Sequence, residues 1–207
     1  MSDKPGFLQN AYGLDTADET RVFYDKWAAT YDAEIAENGY ETPKRCATAL
    51  SDMVKVQTDP VLDVGCGTGL SGLALKAAGF TTIDGCDLSR EMLDRASART
   101  GLYRDLWLSD VNHPFKFATG TYAHIAAMGV IATGHAPATT IDAILQALPK
   151  GGCLVFSLND HTLKDPSFEA RIVENTDTGN ARLLFREYGR HLPGLDMKSN
   201  VYVLQKT

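Results

Sequence analysis

The chain has no run of eighteen apolar residues, no C-x-x-C pair and no cluster of lysine and arginine. Each absence removes a class of function. Without a long apolar run, nothing in the sequence reads as a membrane span. The first ten residues, Met1 to Asn10, are polar and lack the apolar core of a secretory signal. The protein is therefore expected to be soluble and cytoplasmic, with no membrane partner. Cys46, Cys66, Cys86 and Cys153 read as small buried residues in a reducing compartment, not as a disulfide framework or a zinc site. The histidines, at 113, 124, 135, 161 and 191, are too dispersed for a metal site, so no metal is expected. Lys and Arg number 20 against 26 Asp and Glu, a net charge of −6. A nucleic-acid groove needs clustered cations, so tRNA, rRNA and DNA are disfavoured as partners. At 207 residues the chain is long enough for one domain with a full α/β core. It is too short for a dinucleotide domain and a separate substrate domain.

What is present concentrates between residues 61 and 87. Val61-Leu62-Asp63-Val64 reads as the end of a buried strand. Gly65, Gly67 and Gly69 then sit at every second position, a turn that brings backbone close to something. Leu70 to Gly79 suits a helix, and a second apolar run, Thr81 to Cys86, ends in Asp87. Strand, glycine turn, helix, strand and acid form a nucleoside-cofactor half-site, in which the acid accepts hydrogen bonds from a ribose diol. The spacing alone allows two cofactors. Gly67-x-Gly69-x-x-Gly72, with Asp87 twenty residues on from Gly67, fits a dinucleotide fingerprint. Gly65-x-Gly67-x-Gly69, with Asp63 two residues ahead, fits a loop for S-adenosylmethionine.

The remaining elements follow from periodicity. Residues 1–15 read as a flexible lead-in, and residues 16–56 as N-terminal cap helices. Thr16-x-x-Glu19 is a capping box that opens a helix of about five turns. Phe23, Trp27, Tyr31 and Ile35 fall four apart on one apolar stripe. Pro43 opens a second helix with Ala47, Leu50 and Met53 inward. Strands are expected at 60–64, 81–86, 103–109, 122–128 and 152–158, with helices at 69–79, 89–99 and 138–148. That alternation makes 60–160 a cofactor-binding core with a parallel sheet. Ser89 is a natural N-cap. Over 161–207 a helix from Phe168 to Glu174 precedes two strands, at Leu183 to Phe185 and Val201 to Leu204. A Gly/Pro loop from Gly189 to Leu195 is expected between them.

Leu62-Asp63-Val64-Gly65-Cys66-Gly67-Thr68-Gly69 resembles motif I of the class I methyltransferases. Gly85-Cys86-Asp87-Leu88-Ser89 resembles the stretch after their second strand, and Leu148-Pro149-Lys150-Gly151-Gly152 their turn into strand five. Phe23 to Asp32, Gly129 to Pro137 and Tyr188 to Leu195 are similar to the methyltransferase-like group of the Williams–Beuren syndrome region and its bacterial relatives. The resemblance implies a Rossmann-like α/β fold: a mostly parallel seven-stranded sheet, a C-terminal antiparallel hairpin and an N-terminal helical cap. It also implies S-adenosyl-L-methionine as cofactor and methyl transfer to a small-molecule acceptor. A non-catalytic cofactor-binding regulator stays open as an alternative, as does an NAD-binding oxidoreductase. An acid is usual near the start of strand four, and here Tyr122 is followed by Ala123-His124.

The resemblance assigns the cofactor-binding residues. Asp63 engages the ammonium of the methionine tail directly or through water, and Gly65 and Gly67 allow close approach. Asp87 takes the ribose and Leu88 walls the adenine. Asp110 accepts the adenine amino group, with the backbone of Val111 beside it; a solvated strand-end Asp competes with that reading. Met128 and Gly129 end strand four at the methyl-transfer space, because open parallel sheets bind ligands at the carboxyl ends of their strands. Tyr24 and Tyr31 cover the cofactor or pack on the sheet edge. His135, in a Gly-His-Ala-Pro loop past strand four, is the general-base candidate, since an unperturbed pKa of about 6.5 suits proton removal near neutrality. Its alternative is a loop histidine that caps helix 138–148. Asn159, Asp160 and His161 follow strand five toward the acceptor.

Overall fold

The computed structural model describes Phe7, residues 16–110 and residues 117–207. The expected lead-in, Phe7 apart, and Val111 lie outside the described residues.

Helix α1 spans Ala17–Trp27 and opens on the expected capping box. Thr16 Oγ1 accepts from the Glu19 N–H at 3.2 Å, and Glu19 Oε2 accepts from the Thr16 N–H at 3.0 Å. The expected five-turn helix does not continue. A turn at Ala28–Thr30 separates α1 from α2, Tyr31–Glu37. The reason is geometric. Positions four apart drift about 40° around a helix of 3.6 residues per turn. Phe23, Trp27, Tyr31 and Ile35 would therefore spiral off any single face. The break brings Trp27 and Ile35 into one cluster with Phe23, Tyr24, Tyr31 and Tyr40. Helix α3, Thr42–Met53, carries Pro43 in its first turn and buries Ala47 and Leu50.

The sheet has the order β3-β2-β1-β4-β5-β7-β6. Its strands are β1 Val61–Val64, β2 Ile83–Asp87, β3 Leu106–Leu108, β4 His124–Ala127, β5 Cys153–Asn159, β6 Ala181–Leu192 and β7 Met197–Lys206. The first five pair in parallel, and β7 runs antiparallel to both β5 and β6. Helices α4 (Leu70–Ala77), α5 (Arg90–Ser97), α6 (Thr140–Ala147) and α7 (Pro166–Asp177) complete the described α elements. Alternation along each strand divides the core between the faces. Leu62, Leu154, Phe156 and Tyr202 pack with Ile141 and Ile144 of α6. Val61, Val155, Val201 and Val203 pack with Leu50 of α3 and Leu75 of α4. The chain builds β1 to β3 outward in one direction, then β4 and β5 in the other. The strand order reverses between β1 and β4, and a ligand crevice belongs at their carboxyl ends.

Two expectations need correction. β3 is confined to Leu106–Leu108; ahead of it the Arg104 N–H donates to the Ile83 carbonyl, and the Tyr103 and Arg104 side chains bind the Asp63 and Asp84 carboxylates. The expected loop at 189–195 is mostly strand, since β6 runs through to Leu192 and only Pro193–Leu195 turn. Gly189 is paired with Ser199. A Cβ there would sit 2.8 Å from Arg45 Nη2, so the glycine admits a guanidinium and does not mark a turn. The acid missing at the start of strand four is replaced from two sides. Tyr122 donates to Asp84 Oδ2 at 2.8 Å, and His124 Nδ1 accepts the Cys153 N–H at 3.2 Å.

Candidate functional site

The glycine loop leaves β1 through three left-handed residues, Gly65 (φ 65°), Gly67 (φ 53°) and Gly69 (φ 94°). They serve different ends. A Cβ on Gly65 would lie 2.4 Å from Val130 Cγ2, so this glycine lets the loop pass the segment after β4. A Cβ on Gly67 would meet nothing within 4 Å, so its face is open to a ligand. Asp63 sits at the floor with 0% exposure. Its Oδ2 accepts from Ser71 Oγ at 2.6 Å and Tyr103 OH at 2.8 Å, while Oδ1 is buried without a partner among the described residues. Burial pushes its carboxyl up to about 7, against the lowering effect of those two hydroxyls. A buried, half-satisfied carboxylate is a place for an incoming ammonium.

Asp87 closes β2 and is already engaged. Its Oδ2 accepts the Gly67 N–H at 2.8 Å and its Oδ1 the Ser89 N–H at 2.9 Å. It therefore ties the glycine loop to the entry of α5, where Ser89 caps as expected. Burial raises its carboxyl, and the backbone N–H groups oppose that rise. An ionised carboxylate has about four acceptor positions, so a ribose diol still has places to bond. Leu88 is half-buried beside it, and Asp110 is half-buried just past β3. Met128 lies at the end of β4 and lines the glycine cleft.

The cap grips this loop through residues that sequence reasoning missed. Asp25 of α1 accepts from Ser89 Oγ at 2.5 Å. Asp32 of α2 accepts from Thr68 Oγ1 and Arg99 Nη2, both at 2.5 Å. The glycine cleft, about 280 Å³, adjoins a second cleft of about 450 Å³, and Tyr31 and Tyr40 line both.

The second cleft gathers Tyr24, Trp27, His135, Asn159 and His191. Tyr24 lies here, not over the glycine loop. Its hydroxyl is 2.9 Å from His135 Nε2. His135 Nδ1 is 3.4 Å from the Thr133 carbonyl, which can only accept. With the ring proton on Nδ1, facing that carbonyl, Nε2 is the acceptor and Tyr24 donates to it. Burial lowers the His135 pKa, which favours the neutral ring. His135 does not cap α6, whose N-cap is Thr139. Asn159 lines the cleft and holds the chain turn by accepting from Thr162. Asp160 instead binds Tyr188 and the Lys198 N–H, and His161 is exposed. His191 and Tyr40 were not foreseen as site residues. His191 lies in the Gly-Arg-His-Leu-Pro segment, which reads as a loop in the sequence.

A left-handed glycine loop at the strand-order reversal, a buried acid below it and an acid at the second strand's end define an S-adenosylmethionine site of the class I type. Residues 61–152 match the methyltransferase domain family. Human methyltransferase-like protein 27 is 32% identical over 161 residues, covering 76% of this chain and 65% of its own length. A probable 18S rRNA (guanine-N(7))-methyltransferase of Dictyostelium discoideum is 37% identical over 89 residues, covering 43% of this chain and 28% of its own length. The chain thus spans less than two thirds of both curated relatives. Among solved structures, the [4+2]-cyclase SpnF superposes with a TM-score of 0.67 at 15% identity, covering 93% of this chain and 97% of SpnF. That likeness is one of fold.

The described residues fit the cofactor of this class. Asp63 Oδ1 would meet the amino group, the open face of Gly67 the backbone-hugging tail, Asp87 the ribose and Leu88 the adenine. When bound, S-adenosylmethionine supplies an electrophilic methyl group on a sulfonium.

Proposed function

We propose that this protein transfers a methyl group from S-adenosylmethionine to a small molecule bound in the aromatic cleft, with His135 as general base. One observation carries the reading: the glycine cleft shares Tyr31 and Tyr40 with a second cleft, where Nε2 of the His135 imidazole meets the Tyr24 hydroxyl at 2.9 Å. Tyr24 donates to that nitrogen, so a proton leaving the acceptor passes to the tyrosine oxygen as the tyrosine proton passes to His135 Nε2. The rest of catalysis is alignment and exclusion of water by the cap.

The Dictyostelium relative raises RNA as a second acceptor class. The net charge of −6 and the aromatic lining without Lys or Arg among the described residues favour a small molecule. The four cysteines are free and buried, which suits a reducing, cytoplasmic setting. No helix among the described residues is long and apolar enough to cross a membrane. The test is methyl transfer from radiolabelled S-adenosylmethionine into a cell extract that is then fractionated. Label in the low-mass fraction supports the reading. Label in RNA or protein overturns the acceptor class, and no transfer at all favours a cofactor-binding regulator.

A further inference from the structure

Resting on that reading, we infer that the aromatic cleft takes a flat, uncharged acceptor and holds it through an oxygen atom bonded to His191 Nε2–H. The first observation is what lines the cavity. Among the described residues its wall holds tyrosines, Trp27, two histidines and Asn159, but no Lys, Arg, Asp or Glu. A charged ligand would lose its hydration there with no counter-charge to replace it.

The second observation is a chain of hydrogen-bonding groups that ends on one ring nitrogen of His191. Arg45 can only donate, and its Nη1 donates to Ser199 Oγ at 3.2 Å. Ser199 Oγ lies 3.1 Å from Thr42 Oγ1, and either hydroxyl can donate to the other. Thr42 Oγ1 lies 2.7 Å from His191 Nδ1, and in the proposed arrangement the Thr42 hydroxyl is the donor. With Nδ1 accepting, a neutral His191 carries its proton on Nε2. No hydrogen bond from Nε2 to a described residue occupies it. Thr42 and Ser199 have 0% exposure and His191 has 4%, so water does not scramble this order. The Tyr40 ring meets the imidazole edge-on at 5.2 Å between centroids and holds its plane. Burial pushes the His191 pKa down to about 4, consistent with a neutral ring.

The cleft therefore offers opposite polarities at two points. His135 and Tyr24 receive a proton, and His191 donates one. Trp27 Nε1 is a further buried donor without a partner among the described residues, in a ring that lines the same cavity. The complementary ligand has a hydroxyl and a separate oxygen acceptor on a flat frame. Hydroxylated aromatic aldehydes and ketones have that chemistry, whereas aromatic acids and amines do not.

The test uses three probes matched in shape: 4-hydroxybenzaldehyde, 4-hydroxybenzoate and tyramine. Each is titrated calorimetrically into the full chain saturated with S-adenosylhomocysteine. The neutral aldehyde should bind at least tenfold tighter than either ion. His191→Phe should lose about tenfold of that affinity, and Thr42→Val, which cuts the relay, should lose severalfold. If His191→Phe fails to fold, Thr42→Val and ¹⁵N-histidine NMR of the unaltered protein carry the test. The NMR spectrum should show His191 protonated at Nε2, with that nitrogen shifting on addition of the aldehyde. Preferential binding of an ion, no binding of the aldehyde, or a proton on Nδ1 would overturn the inference. Failure of S-adenosylhomocysteine itself to bind would instead remove the methyltransferase reading on which it rests.

Discussion

The two adjoining clefts are built in opposite ways. The glycine cleft is lined mostly by one stretch of chain, Gly65 to Ser71, joined by Tyr31, Tyr40, Pro43 and Met128, and Asp87 holds the loop from the neighbouring strand. Its polar groups are backbone N–H and carboxylates, and its conformation is set by left-handed glycines. The aromatic cleft is made from side chains at 24, 27, 40, 135 and 191, which only the tertiary fold brings together. The comparison separates what a cofactor demands from what an acceptor demands. A shared cofactor fixes a local backbone shape, and that shape leaves a local motif. An acceptor is met by side chains placed on whichever elements the fold brings to the sheet's carboxyl edge.

If the clefts divide the work in this way, damage to one should spare the other. The largest separation is expected from His135→Ala. Loss of a positioned general base should lower turnover by about 10²–10⁴-fold. S-adenosylhomocysteine affinity, measured by calorimetry, should stay near its original value. Loss of both together would mean that the two clefts act as one. The reverse case is Gly67→Val. A branched side chain would fill the open face and occupy a left-handed conformation, so cofactor affinity should fall by about two orders of magnitude. The aromatic cleft should keep its Tyr24–His135 contact, visible as an unchanged His135 signal by NMR.

A finer cut lies within the glycine loop. Gly65→Ala would push a Cβ into Val130, and overpacking of this kind costs about 1–3 kcal/mol. Gly67→Ala meets open space and carries only the left-handed penalty, about 1–2 kcal/mol. Thermal denaturation without ligand should therefore rank Gly65→Ala as the less stable. Cofactor titration should rank Gly67→Ala as the weaker binder. Equal rankings in both would collapse the distinction between the two glycines. The smallest effect should come from Asp32→Ala, which releases the cap from Thr68 and Arg99. Its side chain is 47% exposed, and exposed ion pairs contribute about 0–1 kcal/mol. A severalfold loss of cofactor affinity with unchanged folding is expected.

The same contrast explains what the sequence made legible. The parallel core, the glycine loop, the Thr16 and Ser89 caps and the closing hairpin all rest on neighbours in the chain or on periodicity. The break at Ala28–Thr30 was hidden because a strict spacing of four looks like one stripe until its angular drift is summed. The extent of β6 was hidden because Gly189 reads as a turn residue, whereas it is small to admit Arg45. Asp25, Asp32, Tyr40 and His191 had no local signal. Their partners Ser89, Thr68, Gly129 and Thr42 lie far away in sequence, so only the fold shows what they touch.

The central claim is that the glycine cleft is an S-adenosylmethionine site with Asp63 beneath the amino group. Calorimetric titration of S-adenosylhomocysteine and of NAD between pH 5 and pH 8 tests it most directly. Asp63 is held near 7, and a ligand ammonium favours its ionised form. Below that pH the ligand must drive off a proton to bind, so affinity should weaken by up to tenfold per unit as pH falls from 7 to 5. Above pH 7 it should level off, and Asp63→Asn should flatten the whole profile. Without ligand the sign is reversed, because ionising a buried acid costs stability as pH rises from about 4 toward 7. S-adenosylhomocysteine binding with that profile, and no binding of NAD, is the predicted result. Binding of NAD without S-adenosylhomocysteine, or an S-adenosylhomocysteine affinity indifferent to pH and to Asp63→Asn, would contradict it.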